Sequence, residues 1–163
     1  MTPKISIIAA MSENHVIGRN NQLPWHLPDE WENFRKITDG KAFVMGRKSY
    51  EAPDALHSTY KNVVLSRQQT EFSGAIRTDN LERALGILHD EEEVFILGGA
   101  SVFKEAILLA DILYLTVVHA QLDGDAFFPE VGRDLWRLGT SVYHGADQSH
   151  EYAFSMNIFT RKQ

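Results

Sequence analysis

The segment Leu23-Pro24-Trp25-His26-Leu27-Pro28-Asp29-Glu30 places two prolines, a tryptophan and an acidic pair directly ahead of a run with helical spacing, Trp31 to Thr38. A helix turns about 100° per residue. With Glu30 as the reference, Phe34 and Ile37 lie close beside it, Trp31 and Thr38 flank them, and Asp29, Glu32 and Lys36 point away. Glu30 therefore emerges among apolar side chains, while Asp29 stays in water. A carboxyl group in an apolar wall is costly to ionise, so its pKa rises, and it suits proton transfer or the gripping of a polar ligand. The same spacing also fits an ordinary amphipathic helix whose acid reaches solvent near the N-terminus, favoured there by the macrodipole. The helix alone leaves both readings open.

A second kind of chemistry is suggested at three strand ends. In Phe43-Val44-Met45-Gly46-Arg47-Lys48-Ser49 a strand meets a glycine and then a helix start bearing two cations and a hydroxyl. Free N–H groups and the positive dipole end make such a start a plausible phosphate site, though it also reads as a basic solvated turn. Phe95-Ile96-Leu97-Gly98-Gly99-Ala100-Ser101-Val102-Phe103 is another strand–glycine–helix junction, where paired glycines let a ligand approach the backbone. It is not the six-residue dinucleotide fingerprint, because position 103 is Phe. Val63-Val64-Leu65-Ser66-Arg67 ends a third strand with a hydroxyl and a guanidinium. If Arg67 and Arg47 lie together, they suit a phosphate dianion such as the extra phosphate of NADPH. Gln121-Leu122-Asp123-Gly124-Asp125 reads as a turn. The seven histidines show no metal-ligand spacing, so no metal site is expected, and no Ser/His/Asp triad can be argued from their order.

These groups must be positioned by short, nearly continuous apolar strands: Ile5–Ala10, Ala42–Met45, Asn62–Leu65, Glu93–Leu97 and Ile112–Val118. That pattern belongs to strands covered on both faces. Helical patterns alternate with them at Pro28–Thr38, Gly46–Ala52, Asn80–His89 and Ala100–Ala110. Asp39-Gly40 stops the first, and Asp79 or Asn80 can cap the third. The alternation implies an α/β fold, a mainly parallel sheet with helices on both sides. Leu135–Tyr143 and Tyr152–Thr160 read instead as an antiparallel pair at a sheet edge. In open sheets of this type ligands bind beyond the C-terminal ends of the strands, where several of the candidate residues lie.

The length of 163 residues suits one domain, 1–163, with a sizeable core. A net charge of −6 argues against nucleic acid or an anionic membrane as the main partner, while leaving room for a local basic cluster. With no cysteine, disulfides and thiolate sites are excluded, and a cytoplasmic location is the expectation. The apolar start, Ile5 to Met11, is too short for a membrane span and is a poor signal peptide. Nothing points to an obligate partner, so a monomer is expected.

Over nearly its whole length the chain resembles the dihydrofolate reductases. The likeness rests on Val16-Ile17-Gly18, Leu23-Pro24-Trp25 through Glu30 and Phe34, Met45-Gly46-Arg47, Leu65-Ser66, Gly98-Gly99, Tyr114-Leu115-Thr116 and Gly124-Asp125, in the family's order and spacing. It implies a three-layer fold with an eight-stranded mixed sheet and an antiparallel C-terminal edge. It also implies NADPH as cofactor and hydride transfer to 7,8-dihydrofolate, with antifolates as ligands. By position Glu30 matches the family's active-site carboxylate, which would hold the pterin and promote protonation next to the carbon that accepts hydride. Thr116 would support that network and Trp25 would order the site and its water. Ile8, Trp31, Phe34, Arg35 and Tyr60 would complete the substrate site. Ala10, Ile17 and Gly18 would meet the nicotinamide region. Gly46, Arg47, Lys48, Ser49, Leu65, Ser66 and Arg67 would serve the adenosine end and its extra phosphate. Gly98 and Gly99 would carry a cis peptide beside the cofactor, with Ala100, Ser101, Val102 and Phe103 following. Glu13–Leu23 would be a mobile loop over the nicotinamide, braced by Gly124-Asp125.

Three departures from the family pattern matter. An arginine that pairs with the substrate's glutamate carboxylate usually precedes the third long strand; here Tyr60 takes its place, with Lys61 or Arg35 as substitutes. Trp31 replaces a smaller aliphatic residue, which reshapes the pocket beside Glu30 and lowers the expected sensitivity to trimethoprim-like inhibitors. Ser101 stands where an arginine is frequent, so preference for NADPH leans on Arg47 and Arg67. The altered Tyr60 region keeps a reductase of a tail-less pterin or a pyrimidine in view. A non-catalytic NADPH or folate binder on the same fold is the other alternative.

Overall fold

The computed structural model describes residues 2–163. Ten strands and four helices follow in chain order: β1 (Lys4–Ser12), β2 (Val16–Gly18), α1 (Pro28–Thr38), β3 (Ala42–Gly46), α2 (Arg47–Glu51), β4 (Lys61–Leu65), β5 (Ile76–Thr78), α3 (Leu81–Ile87), β6 (Glu93–Ile96), α4 (Ala100–Ala106), β7 (Ile112–Val118), β8 (Ala126–Phe127), β9 (Trp136–His144) and β10 (Phe154–Arg161). Eight of the strands form one sheet in the order β5-β4-β3-β6-β1-β7-β10-β9. Every pairing from β5 to β7 is parallel, and β10 runs antiparallel to both β7 and β9. The eight-stranded mixed sheet and its antiparallel edge pair are thus as expected.

The continuous apolar runs are explained by alternation between two covered faces. Ile7, Val44, Val94, Ile96, Leu113 and Leu115 pack on one side with Leu81, Ala84 and Leu88 of the α3 region and Val102, Phe103 and Ala106 of α4. Their immediate neighbours Ile8, Phe43, Met45, Phe95 and Tyr114 point the opposite way, towards Phe34 and Ile37 of α1. The face under α1 is the one that carries the candidate site.

Local details follow the chemistry of each sequence. Pro28 opens α1 at its first turn, and Asn80 caps α3 by accepting a hydrogen bond from the Arg83 N–H at 2.8 Å. The structure corrects the expectation for α4, whose regular turns stop at Ala106. Beyond it Leu109 N–H bonds to Ala106 O at 2.9 Å, a three-residue step that tightens the final turn while Ala110 remains buried. Three strands, β2, β5 and β8, were not foreseen; each has only two or three residues. In the β9–β10 pair the register shifts between Ile158 and Phe159, whose partners are Thr140 and Leu138, leaving Gly139 as the extra residue. Among the described residues no helix is long and apolar enough to cross a membrane.

Candidate active site

Glu30 is 7% exposed, and burial pushes its carboxyl up from an ordinary 4.5 to about 7. The opposing influence is Thr116, whose hydroxyl donates to Glu30 Oε1 at 3.1 Å. Two distant parts of the fold meet in that bond. Thr116 lies on β7 between Ala10 of β1 and Met156 of β10, and α1 lies over that face. Glu30 and Thr116 share a small cavity of about 100 Å³ with Ile8, Asn33, Tyr114 and Met156. Asn33, Tyr114 and Met156 were not among the expected site residues. Their signal was available in principle: Tyr114 sits two residues before Thr116 on an alternating strand, so it shares its face.

The apolar stripe of α1 is only partly covered. Glu30 and Thr38 are its buried residues, whereas Trp31, Phe34 and Ile37 are half-buried. Trp31 meets Phe34 edge to face at 6.0 Å, and Phe34 meets Phe43 at 6.4 Å. Half-buried aromatics beside a buried acid make an apolar wall for a flat ligand with polar edges. Trp25 packs with Leu27, Val118, Phe154, Ala10 and Met156. Its indole N–H is the one buried side-chain polar atom without a protein partner among the described residues. A buried donor without a partner is suited to a water or a ligand acceptor.

The two strand–glycine–helix junctions lie side by side, because β3 pairs with β6. Gly46 N–H donates to Gly98 O at 2.8 Å. The Gly98-Gly99 peptide is cis, and Gly98 has φ of +130°, a conformation that L side chains rarely adopt. A side chain at Gly98 would also meet Ser49 Oγ at 3.1 Å and the Phe103 ring at 3.4 Å. Backbone therefore forms the surface at this point. Val102 and Phe103 lie against the glycines, 3.5 Å and 3.4 Å from where side chains at Gly46 and Gly98 would begin. Their side chains enter the core, since α4 turns that face to the sheet, and Phe103 N–H is already bonded to Gly99 O at 2.9 Å. Ala100 is half-buried and Ser101 exposed at the helix start.

Gly46 and Leu65 are partners in the β3–β4 register, so Arg47 and Arg67 follow adjacent strand ends. Arg67 and Lys48 are exposed, while Arg47 pairs with Glu51 at 2.8 Å. Such an exposed pair is worth at most about 1 kcal/mol, so it leaves Arg47 available to a stronger anion. Ser66 is buried and follows β4. A further cation, Arg77, donates to Ser66 O at 2.7 Å and to Asp79 at 2.8 Å. It was missed because β5, which carries it, is too short to register as a strand. The chain is acidic overall, yet four cations gather where β3, β4 and β5 end.

Between these two regions, Ala10 and Ile17 are half-buried and Gly18 is buried. The segment before α1 is tied down by the Gly124-Asp125 turn, which the resemblance offered as its brace. Asn20 N–H donates to Asp125 Oδ2 at 3.0 Å, and Asp125 N–H donates to Gly18 O at 3.0 Å. Position 124 has no space for a side chain: a Cβ there would overlap Val16 and lie 2.6 Å from Gly18 O. On its other side the segment is anchored by Asn21 to Lys48 O at 3.0 Å and by Leu23 N–H to Asp54 at 3.0 Å.

Tyr60 is half exposed, and its hydroxyl donates to Glu91 at 3.0 Å. Lys61 bonds the same carboxylate at 2.7 Å, which holds its ammonium well above the usual lysine range. As a substitute for the missing arginine, Lys61 is already engaged by a carboxylate far less exposed than the one that pairs with Arg47, 12% against 48%. Arg35 is exposed and makes no ion pair among the described residues.

The parts define a class of protein: a doubly covered α/β sheet with a glycine-lined, cation-rimmed ledge at its strand ends and a buried carboxyl group on the helix that covers one face. Residues 4–161 match the family model described as dihydrofolate reductase. The chain is 41% identical over 157 residues to the dihydrofolate reductase of Haemophilus influenzae, covering 96% of this chain and 98% of that one. It is 39% identical to the type 3 dihydrofolate reductase of Salmonella typhimurium, over 98% and 99% of the two chains. A solved dihydrofolate reductase from Enterococcus faecalis, complexed with NADP(H) and RAB-propyl, superposes with a TM-score of 0.88 at 30% identity, over 98% of this chain and 97% of that one. The chain belongs to the dihydrofolate reductase family.

Proposed function

We propose that this chain reduces 7,8-dihydrofolate to 5,6,7,8-tetrahydrofolate with NADPH, in support of one-carbon metabolism, through the buried Glu30 carboxyl group. The reaction adds a hydride to the carbon and a proton to the nitrogen of one C=N bond. NADPH supplies the hydride when bound. The glycine ledge fits such a group, because Gly46, Gly98 and Gly99 leave backbone where side chains would stand and four cations rim the adjacent strand ends. Arg47, Lys48, Arg67 and Ser66 hold its phosphates and adenosine end, with Arg77 as an added cation. Gly98, Gly99, Ala100 and Ser101 carry the ledge, and Ala10, Ile17 and Gly18 would meet the nicotinamide.

The observation that carries the reading is the buried Glu30 carboxyl, 7% exposed and bonded to the Thr116 hydroxyl at 3.1 Å, where burial pushes its pKa up to about 7. Near neutral pH the group exists in both protonation states, so it can accept hydrogen bonds from the pterin and favour its protonation. Thr116 fixes the carboxyl orientation. The Trp25 indole N–H holds a water or ligand acceptor, and Ile8, Trp31 and Phe34 grip the apolar parts of the ring system. The decisive assay is NADPH oxidation by purified protein with 7,8-dihydrofolate, beside Glu30→Gln. Turnover that collapses in the variant supports the assignment; equal turnover removes Glu30 from the chemistry.

The glutamyl tail of the substrate is bound weakly, because Tyr60 and Lys61 are committed to Glu91 and only Arg35 remains. Equal KM values for dihydrofolate and a tail-less dihydropterin support this, and a strong preference for the glutamylated substrate contradicts it. Trimethoprim-like inhibitors bind less well than Trp31→Leu would allow. The protein acts as a cytoplasmic monomer with no nucleic-acid or membrane partner.

A further inference from the structure

Where the β9–β10 edge meets the start of α1, two histidines converge on one carboxylate. His144 ends β9, His150 lies in the turn before β10, and Asp29 is in the first turn of α1. His144 Nε2 lies 2.8 Å from Asp29 Oδ2, His150 Nε2 lies 3.9 Å from it, and the three ligand atoms are all within 4.8 Å of one another. We propose that His144, His150 and Asp29 bind one divalent transition-metal ion of the zinc class, with water completing its shell.

Geometry and the outer partners carry the assignment. A tetrahedral ion about 2.1 Å from each ligand needs those ligands about 3.4 Å apart, and the two separations from Asp29 Oδ2, 2.8 and 3.9 Å, bracket that value. Each imidazole already has its far nitrogen held by an acceptor. His144 Nδ1 faces Gly145 O at 2.8 Å, and His150 Nδ1 faces Asp147 Oδ1 at 2.8 Å. Such acceptors orient a metal-binding imidazole and leave Nε2 as its ligand atom. The rings are also fixed by packing: His144 stacks on Phe154 at 4.6 Å and lies 4.5 Å from His150. Asp147 and His150 close the turn with reciprocal backbone hydrogen bonds of 2.9 and 3.2 Å. Asp29 is half exposed, which gives the ion a path from solvent.

The ion has competitors here. It displaces the proton between His144 and Asp29, and it takes the His150 Nε2 lone pair that now accepts the Asp29 N–H at 3.0 Å. Affinity is therefore in the micromolar range rather than that of a structural zinc site. The loss of that N–H bond loosens the first turn of α1.

The test uses the full chain without an affinity tag, titrated with Zn²⁺ by calorimetry and with Co²⁺ by visible absorption. One equivalent at micromolar affinity is expected, with the intensified Co²⁺ absorption of a low-coordinate site. Asp29→Asn and His144→Gln should each weaken binding about tenfold or more, and Asp147→Ala, which removes the outer acceptor, about tenfold. Thermal melting and NADPH binding confirm that each variant is folded. His119→Gln, at the separate His119–Glu13 pair, should leave binding unchanged. The proposal fails if saturable binding is absent below about 1 mM, if binding survives intact in both Asp29→Asn and His144→Gln, or if His119→Gln abolishes it.

Discussion

The Glu30 pocket and the glycine ledge are carried by one sheet but are built in opposite ways. The pocket depends on one ionisable group sealed among apolar side chains, with a single hydroxyl partner from a strand 86 residues away. The ledge depends on backbone, with its charges out in solvent on Lys48, Arg47 and Arg67. A sealed charge responds to pH and hardly to salt. Exposed cations are screened over a Debye length of about 8 Å at physiological ionic strength. Chemistry and cofactor affinity in this protein should therefore answer to different solution variables.

The largest expected effect breaks the pocket side alone. Glu30→Gln should lower turnover of dihydrofolate by roughly 10² to 10⁴-fold, with NADPH affinity nearly unchanged, as measured by steady-state kinetics and cofactor titration. The same variant carries a stability signature. Between pH 4.5 and about 7 the unfolded chain has released a proton that folded Glu30 retains, so stability is full below 4.5 and falls as pH rises through 7. Glu30→Gln removes that loss. Denaturant melts should show it more stable than the parent above pH 7, by up to about 3 kcal/mol, with the advantage gone below pH 4.5.

On the ledge side, Arg67→Ala should raise the KM for NADPH by roughly ten- to a hundredfold, from one lost charge-assisted contact. The variant should also show a flatter salt dependence, with the pH profile of the chemical step unmoved. A shifted pH profile would erase the distinction between the two regions. Thr116→Val sharpens it from the other direction. Turnover should fall by about tenfold for one lost hydrogen bond to a charged group, and the decline of activity through about pH 7 should move upward, because Thr116 holds the Glu30 pKa down. The smallest effect is expected at Tyr60. Tyr60→Arg should lower the KM for dihydrofolate severalfold while leaving a tail-less dihydropterin untouched.

The same division governs what could be read from the chain. The helix Pro28–Thr38 and the strand Ile112–Val118 coincide with α1 and β7, since a proline start, a Gly40 stop and unbroken β-branched or aliphatic runs are local signals. Helical periodicity put Glu30 on the apolar face, but its burial was legible only together with the rest of the family-like pattern. β2, β5 and β8 were illegible because two or three residues carry no period, and with β5 the position of Arg77 was lost. Val102 and Phe103 followed the glycines in the family-like motif, yet the face that α4 turns to the sheet took their side chains into the core. Thr116 entered the site by resemblance alone. The meeting of Asp29 with His144 spans 115 residues, and only the closure of the sheet edge onto α1 brings them together.

The contact between Gly124 and the Val16–Gly18 strand limits the mutational routes open to this sequence. Trimming Val16 would clear one obstruction at position 124, but the carbonyl of Gly18, 2.6 Å from any added Cβ, belongs to the backbone and cannot be trimmed. No compensating side-chain change at a second site relieves it. Trp31 and Tyr60 are partly exposed and have room to change, whereas Gly124 has none, so a ligand contacting this latch is harder to escape by substitution than one contacting the pocket wall.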